Sequence, residues 1–369
     1  MTHSERYAAT DLIKWSSKLL QGAGLAPERA NTVAEILVEA DLLGHSTHGL
    51  QLLATYLREL EAGSMTTAGE PEILADGGAT ITWNGRYLPG PWLVVKAINL
   101  ARERIELHPV VTVAIQRSHH IACLAAYLKR VTDQGLLILL LSSDPWGKAV
   151  APYGGLQPLY TPNPVAAGIP TQGEPILLDI SMSTTSMSLI GRLQQTGQRL
   201  PHPWLLDNQG QVSDNPAVLL SDPPGSILPL GGTDLGYKGF ALGLLVEALT
   251  SALAGYGRAE QPQRWGASVF LQVIDPAAFG GREYFLRETE WLAEACRTNP
   301  TKPDSLPVRL PGSRALQLRA EQLGQGVALY PTILPSLQPW WEKLGIPLPT
   351  PLTHHVAVDL PNSERAEFL

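Results

Sequence analysis

Two turns that each carry a pair of histidines hold the residues best suited to chemistry. They are Gly44-His45-Ser46-Thr47-His48-Gly49 and Arg117-Ser118-His119-His120-Ile121-Ala122. Each turn precedes a predicted amphipathic helix, with Thr47 or Ser46 as the candidate N-cap of the first helix and Ser118 as that of the second. An imidazole in the first turn of a helix faces the positive end of the helix dipole, so we expect these histidines to be neutral near neutral pH. A neutral imidazole can either donate or accept a proton.

Two further segments carry groups that suit a phosphorylated cofactor. The glycine-rich stretch from Gly231 to Gly239 precedes an apolar helix predicted from Phe240 to Leu253, and Lys238 adds a cation to its backbone N–H groups. Its spacing is not that of a P-loop, and a tight turn that contains a lysine is the alternative. Asp179 ends a strand and precedes a run of hydroxyl residues, which suits ribose binding or, equally, a turn that satisfies its own backbone. The sequence contains no Gly-x-Gly-x-x-Gly after a strand, which disfavours a standard Rossmann site.

The four histidines also raise the possibility of a metal site. His45 and His48 have a helical i, i+3 spacing, but no carboxylate stands at the spacing of a zincin, and the adjacent His119 and His120 are expected to point apart. We therefore predict no metal site, with His45 and His119 capping or packing.

The elements that must position these groups alternate between helices and strands, which predicts an α/β protein. The strand from Val110 to Ile115, the second histidine turn and the buried strand from Leu136 to Leu141 form a strand–turn–helix–strand unit. If both strands share a sheet, their connection is expected to be right-handed, with His120 at the carboxyl edge. Other predicted elements are helices from Asp11 to Leu20, from Pro27 to Leu43, from about His48 to Glu61 and near Trp92 to Arg104, and a strand from Thr80 to Trp83.

The composition of the chain argues against several classes of binding partner. The chain has 369 residues, a net charge of −7 and two cysteines, with 44% hydrophobic and 17% charged residues. An acidic chain without a basic cluster is an improbable partner for nucleic acid or an anionic membrane, and its longest apolar run is too short to span a bilayer. Two widely separated cysteines and no visible secretion signal fit a reducing cytosol.

The order of motifs along nearly the whole chain resembles the type-2 malate/L-lactate dehydrogenase family, which includes ureidoglycolate and sulfolactate dehydrogenases, diketogulonate reductase and cyclic-imine reductases. The motifs are Gly44-x-x-Thr47-His48-Gly49, His119-His120-Ile121, Val150-Ala151-Pro152-x-Gly154-Gly155, Thr161-x-Asn163-Pro164, Leu178-Asp179-x-Ser181-Met182-Ser183, Leu228-Pro229-Leu230-Gly231-Gly232, Lys238-Gly239, Asp275-Pro276-x-x-Phe279-Gly280 and Leu310-Pro311-Gly312. The resemblance implies a non-Rossmann NAD(P)-binding α/β fold with a central mixed sheet. It also implies a helical region built from residues 1–75 and 281–369, and a central cofactor-binding domain of residues 76–280.

The resemblance further implies a homodimer that uses NAD or NADP, with His48 and His120 in acid/base roles and Thr47 beside His48. Substrate contacts are expected at Leu52 and Asn163. The residues that match cofactor contacts are His120, Ile121, Ala122, Cys123, Leu124, Ser142, Asp179, Ile180, Ser181, Met182, Ser183, Lys238, Gly239, Pro311 and Gly312.

Position 52 is the most important departure from the family pattern. Hydroxyacid members commonly carry an arginine four residues after the active-site histidine, where it suits a substrate carboxylate, and this chain has Leu52. We therefore expect an NAD(P)H-dependent reductase of a 2-oxo acid or cyclic 2-imino acid that is more apolar than malate, or the reverse oxidation. The alternative is a homologue whose redox chemistry has been lost or changed.

Overall fold

A seven-stranded mixed sheet forms the centre of the computed structural model, which describes residues 5–303 and 305–352. In chain order the strands are β1 (Arg6–Tyr7), β2 (Glu72–Asp76), β3 (Thr80–Asn84), β4 (Val110–Ser118), β5 (Leu137–Ser143), β6 (Val165–Ile169), β7 (Ile176–Ile180), β8 (Leu205–Leu206), β9 (Val212–Ser213), β10 (Ser226–Ile227), β11 (Ala267–Ile274) and β12 (Val327–Ala328). The large sheet has the order β2-β3-β4-β11-β5-β6-β7. Strands β3 and β4 are parallel and the other neighbours are antiparallel. The predicted α/β fold with a central mixed sheet is confirmed.

Strand β11 lies between the two strands of the predicted strand–turn–helix–strand unit. It runs antiparallel to both β4 and β5, so these two strands share one direction without being neighbours. The apolar run of β5 fits this central place, because a strand with neighbours on both sides and layers above and below exposes little of its surface. The carboxyl ends of β4 and β5 therefore lie at the same edge of the sheet.

Helices cover the sheet and connect its strands. They are α1 (Ala9–Gly22), α2 (Pro27–Leu42), α3 (Leu53–Glu61), α4 (Gly90–Arg104), α5 (Ala125–Thr132), α6 (Met187–Gln195), α7 (Gly232–Glu247), α8 (Arg282–Arg297), α9 (Ser313–Gln325) and α10 (Ile333–Leu344). Among the described helices we find none with the length and apolar character needed to cross a bilayer.

The two ends of the described chain pack together. Helices α1 and α3 contact α10, α2 contacts α9, and β1 pairs with β12. One apolar core runs from Leu37 in α2 through Ile98 in α4 to Val269 in β11. The division into a helical region of residues 1–75 and 281–369 and a central domain of residues 76–280 stays a prediction, and residues 353–369 lie outside the described chain.

Three helix starts differ from the sequence-based expectation. The third helix begins at Leu53 after a 3-10 turn, not at His48. The helix after the second histidine turn begins at Ala125. Helix α7 begins at Gly232, eight residues before Phe240, so Lys238 and Gly239 lie inside a helix rather than in a turn before one. Glycine-rich sequence indicates a turn by propensity, but packing of the buried face of α7 overrides that preference.

Candidate active site

The first histidine turn is held by a carboxylate of the preceding helix. Asp41 of α2 accepts a hydrogen bond from the Leu50 N–H at 2.7 Å, so the predicted caps Ser46 and Thr47 are wrong. Burial raises the pKa of Asp41 to about 7, against the opposing effect of this hydrogen bond. The Thr47 hydroxyl instead contacts Nδ1 of His48 at 2.9 Å. Thr47 therefore orients the imidazole.

The second histidine turn is held in the same way by a carboxylate that is distant in sequence. Asp179, at the end of β7, accepts from the Ala125 N–H at 2.8 Å and caps α5. Ser118, the predicted cap, lies in β4 and donates to the carbonyl of His119. His120 therefore lies in the connection between β4 and α5, ahead of the helix.

Aromatic rings from three separate segments surround His120. Its ring centroid lies 6.3 Å from that of His48 and 4.7 Å from that of Trp265, with interplanar angles of 23° and 27°. Tyr56 of α3 lies edge-on at 6.1 Å, and its hydroxyl is 2.9 Å from His120 Nδ1 and donates to the His120 carbonyl at 3.0 Å. The two predicted acid/base histidines are thus brought together.

Sequence reasoning missed Tyr56 and Trp265. Tyr56 lies on the buried face of α3, where an aromatic side chain is typical of a core position. Trp265 lies in a loop before β11 without any periodic signal. Only the three-dimensional contacts distinguish either residue from an ordinary core aromatic.

His48 and His120 are both neutral near neutral pH, as expected, but the cause is burial and not a helix dipole. Burial lowers the pKa of His48 to about 4, while the charge of Asp179 acts in the opposite direction. Burial also holds the pKa of His120 well below its usual range, and the neighbouring His48 and His119 lower it further. Neither histidine lies in the first turn of a helix, so desolvation takes the place of the predicted dipole effect.

A backbone contact assigns the tautomer of His120. The Ala122 N–H donates to Nδ1 of His120 at 3.2 Å. Because a backbone N–H can only donate, Nδ1 carries the lone pair and the neutral ring carries its proton on Nε2. His120 therefore presents an N–H donor.

His119, the neighbour of His120, has a packing role, as predicted. His119 is fully buried, lies edge-on to Trp265 at 5.0 Å and has Nε2 3.5 Å from a carboxylate oxygen of Glu59. His45 lies with Cys123 and Asp179 in a group whose possible ligand atoms are all within 4.8 Å of one another. Of the four histidines considered as metal ligands from the sequence, only His45 belongs to this group. A carboxylate oxygen of Asp179 in the group already accepts a hydrogen bond from the Ala125 N–H. The absence of a metal from this site stays a prediction.

The segments predicted to contact a dinucleotide meet along β7. Asp179 joins residues 179–183 to residues 120–124, since the same oxygen that caps α5 lies 3.6 Å from Sγ of Cys123. The carbonyl of Pro311 accepts from the Leu177 N–H at 3.1 Å, which brings the Pro311-Gly312 segment beside β7.

The glycine-rich segment joins the same group through the backbone. The Leu230 N–H donates to the carbonyl of Met182 at 3.0 Å, and the Gly239 N–H donates to the carbonyl of Leu230 at 3.1 Å. Thr185 follows the segment of residues 179–183, and its buried hydroxyl oxygen has no hydrogen-bond partner among the described residues. These segments form a cradle along β7, and the unpartnered Thr185 hydroxyl in it fits the polar groups of a nicotinamide dinucleotide.

The predicted site residues differ in exposure. Ile180, Lys238 and Pro311 are exposed, whereas Asp179, Ser181 and Gly312 are half-buried. Those that are buried are Ile121, Ala122, Cys123, Leu124, Ser142, Met182, Ser183 and Gly239. Leu52 is half-buried and packs against the main core. Asn163 is fully buried, and its amide donates to the Gly243 carbonyl and to Glu247 of α7, so its predicted substrate contact has no support from these bonds.

Comparison with known proteins shows which family, relatives and solved structures this chain is similar to. Residues 7–338 match the profile of the malate/L-lactate dehydrogenase family. The (2R)-3-sulfolactate dehydrogenase (NADP(+)) of Chromohalobacter salexigens is 30% identical over 332 residues, which cover 86% of this chain and 93% of that protein. The L-lactate dehydrogenase of Cupriavidus necator is 27% identical over 331 residues, 87% of this chain and 93% of that protein. The structure of delta1-piperideine-2-carboxylate reductase from Pseudomonas syringae superposes with a TM-score of 0.79 at 26% identity and covers 91% of this chain and 100% of that one.

Proposed function

The chain belongs to the malate/L-lactate dehydrogenase family, and we propose that it is the oxidoreductase that interconverts a 2-oxo acid or cyclic 2-imino acid with the corresponding 2-hydroxy or cyclic amino acid. The observation that carries the proposal is the facing pair of neutral imidazoles, His48 and His120, near the cradle along β7. The cofactor is a nicotinamide dinucleotide, NAD or NADP. Held by residues 120–124, 179–183, 238–239 and 311–312, it would exchange a hydride with the substrate carbon next to the carboxylate.

His48 is the residue that we assign to proton transfer. Its neutral form can accept the hydroxyl proton of a 2-hydroxy acid during oxidation. During reduction the same ring must be protonated, and the Asp179 carboxylate is the neighbouring charge that favours this imidazolium. Thr47 holds the ring through Nδ1, which leaves Nε2 for the substrate.

His120 is assigned a different role, that of an uncharged hydrogen-bond donor. Its proton is on Nε2, and the Ala122 N–H blocks protonation of Nδ1. The groups around it act to lower its pKa, so the ring stays neutral through the reaction. It polarises and orients the substrate oxygen, a role that depends on fixed geometry.

An assay with purified protein tests the proposed function. A panel of 2-oxo acids and cyclic imines is offered with NADH and separately with NADPH, and we expect one molecule of reduced cofactor to be consumed for each molecule of product. Loss of reduced-cofactor absorbance and product analysis measure this ratio. Cofactor binding without turnover of any panel member would contradict the proposal and favour a homologue with changed chemistry.

Two further proposals concern assembly and location. We propose a homodimer, supported by an unusual orientation of α7. Its inward face consists of small residues, Gly236, Gly239 and Gly243, whereas Leu242 and Leu245 are 43% and 52% exposed. A helix with its leucines turned outward has an apolar face that a second subunit can cover.

The proposed location is a reducing cytosol, which the two free cysteines, Cys123 and Cys296, support.

Substitution on this face is expected to break the dimer. A charge at Leu245 (Leu245→Asp) would have to be desolvated in the interface, so the variant should run as a monomer where the unaltered protein runs as a dimer. Light scattering coupled to size exclusion measures the mass. Leu107→Asp is the matched control, because Leu107 is 81% exposed at a site far along the chain from α7. Equal masses for the protein and Leu245→Asp would overturn the assignment of this face.

A further inference from the structure

We propose that Trp265 is a positioning residue of this reaction: its indole stacks on His120, fixes the plane of the imidazole and so directs the Nε2–H at the substrate oxygen. The inference rests on the proposed function and adds to it a residue that acts through His120. Trp265 lies in the loop before β11, in a different part of the chain from either histidine turn. No motif around His120 indicates it.

The stacked contact is the first observation. The ring centroids of Trp265 and His120 lie 4.7 Å apart with an interplanar angle of 27°. Among the aromatic pairs that the described residues form with His120, this is the shortest, since His48 lies at 6.3 Å and Tyr56 at 6.1 Å. Two aromatic rings at this distance attract each other beyond the gain from burial. A tilt of the imidazole would weaken that contact.

Hydrogen bonds alone do not prevent this tilt. On the imidazole they reach only Nδ1, which contacts the Ala122 N–H at 3.2 Å and the Tyr56 hydroxyl at 2.9 Å. Contacts at one ring nitrogen hold that atom and allow the ring to turn about it. Among the described residues none bonds to Nε2 of His120, so this donor is left for the substrate. Stacking therefore supplies the restraint that sets the direction of the Nε2–H.

The indole is itself held by two further rings. His119 lies edge-on to it at 5.0 Å with an interplanar angle of 76°, and Tyr56 lies at 6.2 Å with an angle of 57°. Trp265 is half-buried and packs against the main apolar core. A side chain that packing locks in one rotamer can hold its neighbour in a fixed orientation. The plane of the indole can thus determine that of His120.

The backbone on both sides of Trp265 is also anchored. The guanidinium of Arg264 donates to the carbonyl of Gly63, beyond the end of α3, at 3.3 Å. A Cβ added to Gly266 would lie 2.7 Å from the carbonyl oxygen of Ser118 at the end of β4, so the chain runs directly against that strand. The loop is therefore tied to α3 and β4, the elements that adjoin the two histidine turns.

Removal of the indole should change the charge state of His120 as well as its direction. The titratable and charged groups around His119 and His120 are His48, Tyr56, Glu59 and Arg264. Burial is the largest effect on the pKa of His120 and lowers it, and His48 and His119 lower it further. Water admitted to the face that the indole covers would reduce the effect of burial, so the pKa of His120 should rise toward its usual value.

The kinetic test separates a flat aromatic face from apolar volume in the full-length enzyme. Trp265→Leu keeps much of the volume and loses the face, so we expect kcat for a 2-oxo acid or cyclic imine to fall about tenfold or more. Kd of the dinucleotide should change little. Trp265→Phe keeps a face and should restore kcat to within about threefold of the unaltered enzyme. The control is Trp291→Ala, because Trp291 is 68% exposed on α8, and it should leave kcat unchanged.

Nuclear magnetic resonance of nitrogen-15-labelled histidine gives a second readout, which does not depend on turnover. The signals of His120 are assigned by their loss in His120→Gln. In Trp265→Ala we expect the midpoint of the His120 titration to rise by about one pH unit or more, whereas a purely structural loss of activity would leave it in place.

The outcomes separate this inference from the proposed function. Equal kcat for Trp265→Leu and Trp265→Phe overturns the role of the aromatic face, and an unchanged His120 titration in Trp265→Ala overturns the action of the indole on His120. If Trp265→Ala does not fold, the comparison of the leucine and phenylalanine variants decides alone. An enzyme that reduces no acid or imine with either cofactor refutes the proposed function itself, while the titration of His120 still tests its contact with Trp265.

Discussion

Replacement of His48 by glutamine is expected to lower kcat by about 10²–10⁴-fold, the usual contribution of a positioned acid/base group. Glutamine keeps a hydrogen-bonding side chain next to Thr47 but cannot carry the proton. His48 is neutral above a pKa of about 4, so kcat/KM for oxidation by the unaltered enzyme should be level at neutral pH and fall below that pKa. For reduction, kcat/KM should decline as pH rises, because the imidazolium fraction decreases. Steady-state rates in both directions across the pH range measure these trends.

A second histidine variant serves as the control for this prediction. His202 is exposed next to Trp204 and has no place in the proposed site, so His202→Asn should retain full activity. Activity of His48→Gln within threefold of the unaltered enzyme would refute the assignment of His48. A pH profile unchanged by His48→Gln, together with a lower rate, would mean that another group carries the proton.

Substitution of Gly90 by alanine is expected to cost about 100-fold in kcat/KM, the size of loss that a misplacement of about 1 Å can cause. Gly90 begins α4, and an added Cβ would overlap the carbonyl oxygens of both His119 and His120. These are backbone atoms, so α4 or the histidine segment has to move. We also expect a loss of stability of about 1–3 kcal/mol, as for other overpacked sites. Steady-state kinetics and thermal unfolding measure the two effects.

Gly324 offers a matched control for the Gly90 prediction. It lies inside α9, and a Cβ added there meets no atom within 4 Å. Gly324→Ala should leave activity unchanged and should raise stability by about 0.5–1 kcal/mol through helix propensity. Equal kinetics for Gly90→Ala and the unaltered enzyme would show that the histidine segment does not depend on contact with α4.

The sequence allowed the fold class and most elements to be predicted, because apolar periodicity is a local property. The predicted strand from Val110 to Ile115 and the helix from Trp92 to Arg104 correspond to β4 and α4 within a few residues. The two histidine turns were also recognised from local pattern, whereas the choice of His48 and His120 within them came from the resemblance to the dehydrogenase family. Elements and turns are features that neighbouring residues determine by themselves.

The caps and the partners of the histidines could not be found in this way. Asp179 caps a helix that begins 54 residues earlier in the chain, and Tyr56 meets His120 across 64 residues. The predicted serine and threonine caps were locally reasonable, but a buried carboxylate from another element satisfies the same N–H group. The neutral state of the histidines was predicted from a dipole and arises from burial, which depends on packing that spacing alone does not reveal.

Helix α7 has a low intrinsic tendency to form, and this has a consequence for folding. Four glycines lie within Gly232–Glu247, at positions 232, 236, 239 and 243. Each glycine in a helix interior costs about 1 kcal/mol relative to alanine. The helix must therefore gain its order from surfaces outside itself: the loops that carry Tyr153, Tyr160 and Leu230 on its glycine face and, in the proposed dimer, the second subunit on its leucine face. Stability would then depend on protein concentration, and dilution would loosen the segment that includes Lys238 and Gly239 before the rest of the chain unfolds.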